Sequence, residues 1–200
     1  MLLNEIVSSI IQILLFSIVP FVWWLITAKK KESFYVWIGL KKASAISWKS
    51  LLVVTSLFIM VSVFTLYLTK DVETATSEFE GLGISALLPA FVYAVFHTSL
   101  PEELLFRGFL LKRLSHPFGF RAANIIQGLL FGLLHGAMFL NLAGLTRTIL
   151  IIFVTSGIAF AMGYINEKKS GGSILPSWFI HATANLFAAV VAMFSLVQRC

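Results

Sequence analysis

Cysteine, aspartate and charge are all scarce in this chain. Of 200 residues one is a cysteine, Cys200, so no disulfide can close within the chain. One is an aspartate, Asp71, in a polar stretch between apolar segments, which excludes the two buried aspartates of an intramembrane aspartyl protease. No HExxH sequence occurs, so the helical zinc motif of the zincins and of site-two-type metalloproteases is absent. Charged residues make up 12% of the chain, against roughly 25% in soluble domains. Hydrophobic residues reach 58% and the mean hydropathy is +0.93. A water-soluble globule and an intrinsically disordered chain are both excluded by that balance. No internal repeat, low-complexity tract or soluble second domain is visible, and the missing repeat argues against a transporter built from matched halves.

What is present is a series of long apolar runs. A membrane span needs about 20 such residues. Six segments qualify: 5–27, 50–69, 84–113, 122–141, 145–166 and 172–196. The expected fold is an all-α polytopic bundle of about six spans, one membrane domain over 1–200. The third segment is too long for one straight crossing and contains Pro89 and Pro101, so a tilt or a kink near Pro101 is expected. The opening MLLNEIVSSIIQILLF lacks a basic leader region and a small-residue cleavage site, and reads as a retained span. Residues 32–48 mix aromatics with lysines and fit either an amphipathic surface helix or a plain connecting loop.

The net charge of +6 would suggest nucleic acid in a soluble chain. Here it sits in loops, and no nucleic-acid partner is expected. Lys29, Lys30, Lys31, Lys41, Lys42 and Lys49 follow the first span. Lys112, Arg113 and Arg121 follow the third, and Lys168 and Lys169 follow the fifth. All of these fall on one side, whereas Lys70, Arg147 and Arg199 fall on the other. The lysine-rich side is therefore expected in the cytoplasm, with both termini outside.

Several polar residues lie inside the spans, where charge costs about 2.5–3.5 kcal/mol at the centre. The third span holds Glu102, Glu103 and Arg107, the fourth His135, and the sixth His181 and Asn185. Counted from the lysine-rich ends at 1.5 Å per residue, Glu102, His135 and His181 lie about 16, 21 and 18 Å deep. All three fall near the midplane of a hydrocarbon core about 30 Å thick. Glu103 and Arg107 are four apart, so they share a helix face and can pair. Glu102 has no such partner on its own face, which suits a general base. His181 and Asn185 are also four apart, and together can bind an oxyanion, a water or a metal. Two plainer readings compete: an ion network that only ties helices together, and an interhelical hydrogen bond without chemistry.

Other features read as packing. Gly128, Gly132 and Gly136 repeat every fourth residue, which favours close helix contact. Asn124, Phe131 and His135 fall on one line that could wet a path to His135. His97 reads as a satisfied interior histidine, and His116 as a loop residue. A serine–histidine dyad of Ser156 and His181 lacks the usual preceding glycine, because Val154 stands there, and it leaves Glu102 without a role.

The residues also resemble a family. LPEELLFRGFLL resembles the EExxxR motif of the CPBP family, the CAAX-type intramembrane proteases and bacteriocin-processing or immunity proteins. Glu102, Glu103 and Arg107 fill its fixed positions, Phe131 and His135 an FxxxH motif, and His181 and Asn185 an HxxxN motif. The resemblance covers 84–196, a catalytic four-helix core preceded by a variable part, 1–83. It implies an endopeptidase whose cavity opens to the cytoplasm and whose substrate is a peptide or a lipidated protein tail beside membrane lipid. By that resemblance Glu102 and His135 activate water, and His181 and Asn185 stabilise the oxyanion. Glu103, Arg107 and Phe131 support them. The residues would serve a catalytic zinc with His135 and His181 as candidate ligands, or a metal-free glutamate mechanism; the latter is favoured. A non-catalytic immunity or partner-binding protein with the same bundle, and a proton-coupled transporter, are the alternatives.

Overall fold

The computed structural model describes residues 1–197; Arg199 and Cys200 lie outside the described residues. Among the described residues, five helical stretches are long and apolar enough to cross a membrane. The first is α1, Leu2–Thr27. A short helix, α2, Phe34–Ile38, follows it, and then α3, Trp48–Leu68. The third stretch, Gly83–Ala143, holds 61 residues and turns at Gly119. We call the part before the turn, 83–118, α4, and the part after it, 120–143, α5. The chain then runs through α6, Leu145–Tyr164, extended by one wide turn over Ile165–Lys169, and ends in α7, Leu175–Met193. Dividing the third stretch at Gly119 gives six crossings, as expected from the apolar runs.

These runs become helices because lipid offers no partner for a free backbone N–H or C=O. Gly119 makes the turn with φ +73°, a left-handed conformation that costs glycine little. The chain turns back here, between the third and fourth apolar runs. Around Pro101 the helix stays continuous but widens into π turns at Tyr93–Ser99 and Leu104–Leu111. Proline lacks the N–H that an α-helical ladder needs there. The hydroxyl of Ser99 donates to the Ala94 carbonyl at 2.6 Å, and that of Thr98 donates to Tyr93 at 3.2 Å. From α7, Trp178 Nε1 donates to the Val95 carbonyl at 2.9 Å. Side chains thus satisfy carbonyls within the widened turns.

The helices are joined at both ends of the bundle. At the lysine-rich end, Lys112 reaches Glu167 at 2.5 Å and the Gly172 carbonyl at 2.7 Å, tying α4 to α6. At the other end Arg147 pairs with Asp71 at 2.6 Å. The stretch 32–48 is not a surface helix along its length: only Phe34–Ile38 is helical, and its Trp37 and Ile38 are buried against Leu104, Phe109 and Ile174. Trp37 and Ile38, with Phe34 partly buried beside them, hold this stub on the bundle, while the lysines after it stay in the loop. His116, read from sequence as a loop residue, lies in the last turns of α4.

The glycine stripe of α5 packs on α6, as its spacing suggests. A Cβ built on Gly132 would lie 2.5 Å from the Ile152 carbonyl oxygen, so the two backbones approach closely. We expect Gly132→Leu to cost about 1–3 kcal/mol or more by forcing this seam apart. The melting temperature in detergent should fall accordingly. Gly157→Ala should not lower it, because a Cβ there meets nothing within 4 Å. Asn124 belongs to the same seam. It is fully buried and donates to the Phe160 carbonyl at 2.9 Å, and Gln127 beside it donates to the Ala159 carbonyl at 3.1 Å. Asn124 is thus a clamp between helices.

Candidate active site

The polar residues of α4, α5 and α7 gather where the π turns of α4 face α7. Glu103 is the centre of the cluster and is fully buried. Its Oε1 lies 3.2 Å from Arg107 and 3.1 Å from His181 Nδ1, and its Oε2 accepts the hydroxyl proton of Ser177. Ser177 is held in turn by Asn166 on the wide turn after α6. Asn166 Nδ2 donates to the Ser177 hydroxyl at 2.7 Å, and Asn166 Oδ1 accepts from the Ser177 backbone N–H at 3.3 Å. Arg107 completes the support from its other side, stacking 4.3 Å over the Phe131 ring. The pairing of Glu103 with Arg107 expected from their spacing is therefore present, inside a larger network.

An ionised carboxylate only accepts, so the proton between His181 and Glu103 sits on Nδ1 of the ring. That leaves His181 Nε2 facing away from Glu103, toward Glu102, whose Oε2 is 3.7 Å distant. This separation is too long for a direct hydrogen bond. It is a separation across which one water can bridge the two atoms. Glu102 Oε2 makes no hydrogen bond, although it is buried. The side chain as a whole keeps 19% exposure, so the carboxylate is not sealed off. The neighbouring glutamates thus have different surroundings: Glu103 is held by Arg107, His181 and Ser177, whereas Glu102 Oε2 has the His181 ring at 3.7 Å and no hydrogen bond among the described residues.

Phe131 places the second imidazole. Its ring lies 4.4 Å from that of His135 and 5.9 Å from that of His181, so both rings flank one phenyl group. His135 Nδ1 is 3.0 Å from the Phe131 carbonyl, an acceptor, which puts the proton on Nδ1 and leaves Nε2 free. His135 makes no direct hydrogen bond or ion pair with Glu102 among the described residues. Phe58 of α3 closes the remaining side of His181 at 5.6 Å. Asn185 Nδ2 donates to the Thr98 hydroxyl at 2.8 Å and lies 3.3 Å from that of Ser99. The site thus has a fixed histidine, a free carboxylate, a second histidine and an amide anchored to the widened turn of α4.

Both imidazoles hold Nδ1 in a hydrogen bond and leave Nε2 free, the pattern seen behind metal-ligating histidines. Yet no three His, Cys, Asp or Glu side chains converge at ligand spacing among the described residues. The side chains as placed do not assemble a three-ligand zinc set.

Four contributors escape the sequence motifs: Ser177, Asn166, Thr98 and Ser99. Ser177 was within reach, since Ser177, His181 and Asn185 recur every fourth residue along one face of α7. Asn166, Thr98 and Ser99 act through widened turns, which no periodicity reveals. His97 lies apart from the cluster and is satisfied, as expected, by Glu5 of α1 at 2.9 Å. Ser156 lies on the α5–α6 seam against Gly132 and not beside His181.

Comparison with known proteins agrees with the resemblance carried by the three motifs. No curated protein and no solved structure matches the chain. A family model does: that of the type II CAAX prenyl endopeptidase Rce1-like proteins, over residues 84–187. This stretch is more than half of the chain and holds Glu102, Glu103, Arg107, Phe131, His135, His181 and Asn185. The chain is a multi-helical membrane protein and belongs to the type II CAAX prenyl endopeptidase Rce1-like family.

Proposed function

We propose that this protein is an intramembrane endopeptidase that hydrolyses a peptide bond of a membrane-associated or lipidated substrate with a water activated by Glu102. The observation that carries the reading is the free, buried Oε2 of Glu102, 3.7 Å from an imidazole that Glu103 holds in place. Water between them loses a proton to Glu102 as its oxygen bonds to the scissile carbonyl carbon. His135, presenting Nε2 beside the same phenyl ring, helps to orient that water. The carbonyl oxygen becomes an oxyanion, stabilised by the Asn185 amide and by His181 in its doubly protonated form, whose Nδ1–H stays on Glu103 while an Nε2–H faces the oxyanion. For Asn185 this means giving up one of its two hydroxyl partners, Thr98 or Ser99. The tetrahedral intermediate collapses as the carbon–nitrogen bond breaks, and the proton on Glu102 passes to the leaving amine. Each step uses side chains of this chain, and none is routed through a metal.

The segment 84–196 forms the catalytic core and 1–83 flanks it. The loop charges support an orientation in a cell membrane with the lysine-rich side in the cytoplasm, the cavity open to that side and both termini outside. The test is cleavage of prenylated and unprenylated peptides by purified protein, with and without a strong chelator. Cleavage is expected in both conditions, with the lipidated peptide preferred. Loss of cleavage in chelator, restored by zinc, would replace glutamate-activated water by metal-activated water. No cleavage of any peptide by the folded protein would favour a non-catalytic immunity or partner-binding role.

A further inference from the structure

We propose that the groove at the Gly119 turn binds the phosphate of an anionic phospholipid. The groove is a cavity of about 760 Å³ at the lysine-rich end, between the start of α5 and the end of α6. Its charged groups are Arg121 and Lys168, and no acidic residue lines it. Both cations are exposed, and neither takes part in an ion pair among the described residues. Glu167, the acid adjacent to Lys168, is occupied by Lys112 at 2.5 Å. Lys168 Nζ sits 4.6 Å over the Phe120 ring, which keeps the ammonium at the rim.

The shape of the groove separates a lipid from a soluble anion. Arg121 and Lys168 stand at the ends of their helices, where the apolar runs begin, which is the level of lipid phosphates. The walls below them are Ile125, Phe160 and Tyr164. Ile125 lies about 6 Å and Phe160 about 12 Å further into the bilayer, at 1.5 Å per residue. A charged rim above an apolar wall matches a phosphate above glycerol and acyl chain. A small aqueous anion would use the rim and leave that wall uncovered. Basic pockets between helices on the positively charged side of a membrane protein are recognised sites for anionic headgroups. The inference does not depend on the proteolytic reading, because no residue of the candidate active site lines the groove.

The experiment uses the full chain purified in neutral detergent, with phosphatidylglycerol as probe, phosphatidylcholine as the zwitterionic control, and lipid retention read by native mass spectrometry. The wild type should retain phosphatidylglycerol over phosphatidylcholine. The double variant Arg121→Gln/Lys168→Gln should lose about 30-fold in phosphatidylglycerol affinity, the equivalent of two cations at roughly 1 kcal/mol each. Its melting temperature without lipid should match the wild type, and Arg121→Lys/Lys168→Arg should keep the lipid. The variant Lys29→Gln/Lys30→Gln removes equal charge from the same side and should leave retention unchanged. Three results would overturn the proposal: unchanged retention in Arg121→Gln/Lys168→Gln, equal loss in Lys29→Gln/Lys30→Gln, or displacement of the lipid by inorganic phosphate at comparable concentration.

Discussion

Replacing Glu102 with glutamine is expected to lower peptide cleavage by about 10²–10⁴-fold, the usual contribution of a positioned acid–base group. The size of the effect follows from the surroundings of this carboxylate. Its Oε2 carries no hydrogen bond that would compete for an incoming proton. Glutamine is nearly isosteric and keeps a carbonyl toward His181, so the bundle should be undisturbed. Binding of a lipidated peptide should survive, because the change removes a proton acceptor and leaves the size of the side chain nearly unchanged. A loss confined to kcat would show an interaction used in the transition state, whereas a change confined to KM would show a binding role.

Breaking the ion pair below it should act on the fold. Glu103 and Arg107 are both fully buried, 3.2 Å apart, and stacked through Arg107 onto Phe131. Removing one partner of such a pair leaves the other charge buried without compensation, at a cost of about 3–5 kcal/mol. Arg107→Leu is therefore expected to lower the melting temperature sharply and to impair insertion or folding. Glu103→Leu should do the same, and it also removes the acceptor that fixes His181. The double variant Glu103→Leu/Arg107→Leu should recover part of the lost stability, because no uncompensated charge remains. It should stay inactive, since His181 is no longer held toward Glu102. A double variant as unstable as the sum of the single ones would mean that the pair is not coupled.

The contrast between these two glutamates was legible in the sequence, and for a physical reason. Spacing by four identifies a residue with a partner, and Glu103 has Arg107 at that spacing while Glu102 does not. Apolar run length also marked the spans, because a bilayer sets the length of a helix that crosses it. The turn at Gly119 falls in the gap between the third and fourth apolar runs; less legible was that the helix stays continuous almost to that glycine. Pro101 marked the irregular part of the third run: the helix passes it without a break but widens on both sides, with Thr98 and Ser99 hydroxyls and Trp178 bonding carbonyls there. The network behind Glu103 was hidden because Ser177 and Asn166 come from separate helices, and only the fold brings them together. The clamp made by Asn124 was not legible, because the polarity that could hold water along that line equally suits a hydrogen bond between two helices.

The most direct test of the division of labour between the glutamates reads cleavage and melting temperature on Glu102→Gln and Glu103→Gln side by side, in the same detergent and with the same lipidated peptide. The expected result is a dead but wild-type-stable Glu102→Gln and a destabilised Glu103→Gln. Full activity in Glu102→Gln, or a collapse of its stability equal to that of Glu103→Gln, would contradict the assignment of Glu102 as the residue that activates water.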